Sequence, residues 1–250
     1  MNHRREIHIG SDADAVVQTA AACWEAASAA AIRARGVCHV ALAGGSTPRA
    51  LYELLARPPW RERIDWSRHY FWFGDERCVP PDHPDSNYRM ARETLLSHIA
   101  VDAERVHRIR GEIDPALAAR EYEDALRRTV ATDEGATPAL DLVLLGLGTD
   151  GHVASLFPGT DILAARGNLV AAVWVPRLAS WRVSLTLPVI NAARRVALLV
   201  TGSGKADIVA QVIGAESHAY PAGLVQPSAG VDWYLDRAAA AGIEPKEPGP

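Results

Sequence analysis

The sequence predicts an α/β fold: a mostly parallel β-sheet with helices on both faces. Three observations predict it. Residues 37–43, 70–73, 141–147, 169–175 and 195–200 form short, nearly all-apolar runs, without the polar alternation of a half-solvated sheet. Segments of helical character separate them, as in chains that cross over between parallel strands. Several runs end in polar or glycine-rich turns, where such sheets collect ligands.

Taken in order, Ser11 with Asp14 three residues on reads as a capping box, opening a helix that stops near Gly36. The strand at 37–43 leads into Gly44-Gly45-Ser46-Thr47-Pro48, with Thr47 expected as N-cap and Pro48 at the first helical position of the next helix. The aromatic strand at 70–73 precedes a polar loop at 74–86. Helices follow over 87–99 and 115–131, and a last one after Gly204. One domain over residues 1–241 is expected, with a small insertion around 100–135 and a flexible, proline-bearing tail at 242–250.

Composition bounds the partners. The 250 residues are 48% hydrophobic and 22% charged with a net charge of −4, and no basic run tracks a phosphate backbone, so nucleic acid is not an expected partner. Asp14, Gln18, Glu25, Ser28 and Arg33 interrupt the alanine-rich stretch at 13–34, which argues against a membrane span. Three scattered cysteines (Cys23, Cys38, Cys78) suit a reducing compartment, and acidic residues among the first fourteen oppose a signal peptide; the expected location is cytoplasmic, as a monomer or homodimer. No histidine spacing matches a metal motif, so neither metal nor cofactor is expected.

Four polar turns carry the chemistry. Gly44, Gly45, Ser46 and Thr47 at a helix start can present N–H groups to an anion. Gly74-Asp75-Glu76-Arg77 ends a buried strand, where charges need partners or a wetted cleft; Arg77 can grip a phosphate or carboxylate, the alternative being an ion pair with Asp75 or Glu76. Gly146, Gly148 and Gly151 spell GxGxxG, but no Asp or Glu occurs between 162 and 180 to hold a ribose, which excludes a dinucleotide. What remains in that turn is Asp150 with His152, a carboxylate and an imidazole suited to general-base work. Lys205 lies in TGSGKA, which fails as a nucleotide loop: Leu199 replaces a glycine and Ala206 the metal-binding hydroxyl. It still suits a monophosphate.

Together these blocks resemble the 6-phosphogluconolactonase family. The matching stretches are AGGSTP at 43–48, FGDERCVPPDHPDSNYRMA at 73–91, LGLGTDGHVASLFPGT at 145–160 and RVSLTLPVINAARRVALLVTGSGKA at 182–206. The resemblance implies the Rossmann-like α/β fold of glucosamine-6-phosphate deaminases, sugar-phosphate isomerases and CoA-transferases. It implies hydrolysis of a phosphorylated sugar lactone, with His152 as base, Asp150 and Asp75 beside it in the catalytic set, and Arg77, Lys205 and Arg182 as substrate ligands. Ser184 stands where the family often shows Thr and keeps the hydroxyl. The related deaminases resemble DGHIAFNEPG after the histidine, with a glutamate where this chain has Phe157; an apolar ring cannot move the protons of amino-sugar isomerisation. A non-catalytic sugar-phosphate sensor is the other alternative, but about 36 residues before the first expected strand leave little room for a DNA-binding module.

Overall fold

The computed structural model describes residues 4–130, 136–214 and 217–243. The chain runs β1 (Arg5–Gly10), α1 (Ala13–Arg35), β2 (Cys38–Leu42), α2 (Ser46–Leu55), α3 (Trp60–Arg63), β3 (His69–Phe73), β4 (Asp75–Arg77), α4 (Asn87–Thr94) and α5 (Pro115–Thr129). It continues through β5 (Leu142–Leu145), β6 (Val170–Val175), β7 (Ser180–Leu185), α6 (Leu187–Ala192), β8 (Val196–Val200), α7 (Ala206–Ile213), β9 (Val231–Asp236) and α8 (Arg237–Ala240).

Six strands form an all-parallel sheet in the order β1-β9-β8-β5-β2-β3. Every residue of β2, β5 and β8 is buried, which requires cover on both faces and explains their continuous apolar runs. α1 supplies part of that cover. Val16, Val17, Ala20, Ala21, Trp24 and Ala31 recur at helical spacing and are buried, so this helix, long and apolar enough by composition to cross a membrane, instead packs into protein. Gly36 in the left-handed region ends it where expected.

The remaining strands form a separate antiparallel sheet, β4-β7-β6. Gly74 couples the two sheets: its N–H donates to Leu42 O at 2.8 Å, and its carbonyl accepts from Leu185 N at 2.8 Å. The polar segment after β3 is therefore a strand at Asp75–Arg77 and not wholly loop. The run at 169–175 lies in this small sheet and not beside the parallel strands.

Local signals are corrected in the same way. Asp12, not Ser11, caps α1, its carboxylate accepting from Ala15 N at 2.9 Å while Ser11 donates to Asp12. α2 begins at Ser46 after Gly45, with no side-chain cap; Thr47 lies inside its first turn, where its hydroxyl bonds that of Thr201 at 2.8 Å. The expected helix at 87–99 ends at Thr94, and a 3-10 turn follows over Leu96–His98. Residues 131–135, at the end of the expected insertion, and most of the expected tail lie outside the described residues, and the first strand is β1, ahead of the Ala-rich helix.

Candidate active site

The parallel sheet reverses its order between β2 and β5: β3 lies to one side, and β8, β9 and β1 to the other. Loops leaving the carboxyl ends of β2, β5 and β8 diverge there, the place where open α/β sheets bind ligands. With β4 and β7 they line a cleft of about 380 Å³. Gly44, Gly45, Ser46, Thr47, Asp75, Arg77, His152, Arg182 and Lys205 all line it. Of the expected site residues only Asp150 does not; it stands behind His152.

The histidine is held on three sides. Its Nδ1 lies 2.5 Å from Asp150 Oδ1, and its ring centroid lies 4.1 Å from that of Phe157. Its carbonyl accepts from Gly148 N at 2.8 Å, folding the turn back on itself. A Cβ on Gly148 would fall 1.9 Å from Nδ1, so the imidazole sits where only glycine leaves space. This close approach, not a dinucleotide, accounts for that part of the GxGxxG pattern. A carboxylate can only accept, so Nδ1 carries the proton, leaving Nε2 without a partner among the described residues. Burial alone would raise the Asp150 carboxyl; the hydrogen bond and charge of His152, aided by Arg177, outweigh it and hold the group below its ordinary range.

Three cations also line the cleft. β4 and β7 pair so that Arg77 and Arg182 are direct cross-strand partners, an arrangement that repels unless an anion intervenes. Both Nε atoms are buried without a partner, and no carboxylate of the described residues forms a salt bridge with either arginine. Arg77 donates to the Asp85 carbonyl, so neither ion pair weighed from the sequence forms. Burial, then the charge of Arg77, pushes the Arg182 guanidinium below its ordinary range. Lys205 donates to Leu147 O at 2.6 Å, and burial lowers its ammonium, with Asp150 opposing. The uncapped first turn of α2 adds N–H groups to the same cleft.

Hydrogen-bonded polar side chains adjoin these groups. Asp75 accepts from Ser155 Oγ at 2.6 Å and from Asn87 Nδ2 at 3.2 Å. Ser184, directly across from Asp75 in the strand register, accepts from Ser155 N at 3.2 Å, giving the retained hydroxyl a task. Glu76 is 2% exposed and unpaired with any cation of the described residues; it accepts from the N–H groups of Arg77, Asn87 and Tyr88 and from Ser86 Oγ. Glu76 thereby fixes the start of α4 and with it Asn87, which packs so close to Gly44 that a Cβ there would lie 2.2 Å from Asn87 Oδ1.

Asn87, Ser155 and Arg177 line the cleft without having been singled out from the sequence. The Asp-Ser-Asn start of α4 carried a usable signal for Asn87. Arg177 carried none, because only the pairing of β6 with β7 brings it to the histidine.

The chain is similar in sequence and fold to known proteins. The model of the family described as glucosamine-6-phosphate isomerases/6-phosphogluconolactonase matches residues 11–233. A 6-phosphogluconolactonase of Haemophilus influenzae is 40% identical over 204 residues, covering 80% of this chain and 85% of that one. The crystal structure of devB protein superposes with a TM-score of 0.88 at 42% identity, covering 96% of this chain and 100% of that one. A 6-phosphogluconolactonase from Trypanosoma cruzi superposes at 0.86 with 30% identity, covering 98% and 99% of the two chains. The fold defines an α/β protein with a cleft at the switch point of its parallel sheet. The chain belongs to the glucosamine-6-phosphate isomerase/6-phosphogluconolactonase family.

Proposed function

We propose that this chain hydrolyses 6-phospho-D-glucono-1,5-lactone to 6-phospho-D-gluconate, the second step of the oxidative pentose phosphate pathway. One observation carries the reading: a carboxylate-pinned imidazole and a half-buried pair of facing arginines share one cleft. The arginines demand an anion; the imidazole, with Nε2 unpartnered among the described residues, supplies a base.

The phosphate is held by Arg77, Arg182, Lys205 and the turn from Gly44 through Ser46 to Thr47. That remote binding energy brings the lactone carbonyl to His152. Nε2 takes a proton from a water as the water oxygen attacks C1. Asp150 stabilises the imidazolium that forms. The tetrahedral intermediate collapses with cleavage of the bond from C1 to the ring oxygen, and His152 returns its proton to that oxygen. Asp75 accepts from Ser155 and Asn87 and holds both side chains at the cleft wall. Phe157 packs the imidazole and gives no second acid or base, which favours ester hydrolysis over amino-sugar deamination.

The test is His152→Ala, assayed by proton release against the spontaneous hydrolysis of the lactone. A fall of about 10²–10⁴-fold in kcat is expected for loss of a general base. A variant retaining near-normal kcat removes His152 from this role.

A further inference from the structure

The loop joining β6 to β7 adds a residue to the site. A single 3-10 turn over Pro176–Leu178, closed by Ala179 in the left-handed region, carries Arg177 over the histidine. Its Nη2 lies 2.9 Å from Asp150 Oδ2, while the other oxygen, Oδ1, holds His152 Nδ1. The same Nη2 comes within 3.5 Å of His152 Nδ1, and its Cζ lies 4.9 Å from the Phe157 ring centroid. Guanidinium, carboxylate, imidazole and phenyl thus close on one another.

We infer that Arg177 is a positioning residue for the general base: it clamps the Asp150 carboxylate in the one orientation that presents Oδ1 to His152. The inference rests on the lactonase reading for its kinetic consequences but not for its geometry. Arg177 approaches the Nδ1 edge of the ring, the edge opposite the proton-accepting nitrogen, so it acts through Asp150 and not on the reacting carbonyl. Stacking on Phe157 restrains a side chain that is otherwise half exposed.

The clamp has an electrostatic consequence. Asp150 from its own turn, Arg177 from the β6–β7 link and Lys205 from the start of α7 face the histidine. Asp75, Arg77 and Arg182 look across the cleft, and the Tyr220 phenol, bonded to Gln211, stands behind Gly151. Removing Arg177 leaves Asp150 less compensated and looser, and the imidazole holds its proton more tightly.

Arg177→Gln should lower kcat about tenfold near neutral pH, with KM changed less than about twofold, because the loss lies in the base and not in substrate binding. The acid limb of kcat/KM should move up by about half to one pH unit, the lower part of the range for a nearby charge because this one is half exposed. Arg177→Lys keeps the charge but not the fork, so it should restore the limb and only part of kcat. An NMR titration of the His152 ring, without substrate, should show the same upward move in Arg177→Gln. That titration reads the clamp even if the wild type fails to hydrolyse the lactone, an outcome that would sink the proposed function alone. An unmoved limb and ring titration overturn the clamp, as does a KM raised tenfold with kcat intact.

Discussion

Gly148→Ala separates the geometry of the base from its presence. The added methyl would lie 1.9 Å from His152 Nδ1, 2.1 Å from Cε1 and 2.6 Å from Asp150 Oδ1. Recovering an ordinary contact of about 3.4 Å moves the ring by about 1.5 Å, and a misplacement of about 1 Å can cost about 10²-fold in rate. The atoms in the way belong to two side chains about a quarter exposed, so the ring yields and the backbone does not. Gly148 is also not among the glycines with positive φ, so alanine adds no backbone strain. The expected outcome is a folded protein whose kcat, followed by proton release, falls about 10²-fold with little change in KM. Gly148→Ala combined with His152→Ala should be no slower than His152→Ala alone, since both disable one device. A single variant within twofold of wild type, or a double variant whose losses multiply, refutes the reasoning.

Three further outcomes are expected. Asp150→Asn should cut kcat by about 10²–10⁴-fold while leaving phosphate affinity unchanged, because an amide no longer enforces the Nδ1–H tautomer; isothermal titration with inorganic phosphate checks the second half. Arg182→Ala should instead raise KM about tenfold or more and abolish the rise in melting temperature that inorganic phosphate gives the wild type. Stability should fall with acid below neutrality. His39 Nδ1 accepts from the Trp72 indole at 3.2 Å and His69 Nε2 from the Trp24 indole at 3.3 Å, and burial depresses both imidazoles to about 4. The unfolded chain binds these protons below about pH 6.5, so the stability they confer is full above that value and is lost towards pH 4, by up to about 3 kcal/mol per histidine. Urea midpoints that stay level between pH 7 and 5 would contradict this.

Legibility in the sequence followed burial. β2, β3, β5 and β8 stood out because sheet strands covered on both faces need apolar residues at nearly every position. β1 did not: Arg-Glu-Ile-His-Ile-Gly is an edge strand with three exposed residues, and its one strand partner among the described residues is β9, more than 200 residues away. β6 read as a strand but not as an antiparallel one, since an apolar run carries no mark of its partner. Asp75-Glu76-Arg77 was legible as a site and illegible as a strand, because pairing with β7, not local propensity, makes it extended. The same split runs through the site. His152, Asp150, Arg77 and Lys205 announce themselves beside glycines in short motifs, whereas Arg177 and the capping task of Glu76 exist only once distant segments meet.

The two sheets divide the proposed chemistry. The parallel sheet supplies the His152 turn after β5, Lys205 after β8 and the first turn of α2 after β2, while the small sheet supplies Arg77 and Arg182. Gly74, hydrogen-bonded to both β2 and β7, fixes the distance between them. In the proposed function the repulsion between the facing arginines, in a partly desolvated place, is relieved when the phosphate binds. A neutral sugar lactone of the same shape gains nothing from that relief and still has to share the cleft with two unsatisfied cations. On the proposed reading, discrimination against unphosphorylated lactones is expected to arise from that repulsion as much as from the contacts the phosphate makes. The proposed base on the other sheet would then act on the ester carbonyl that the phosphate brings within its reach.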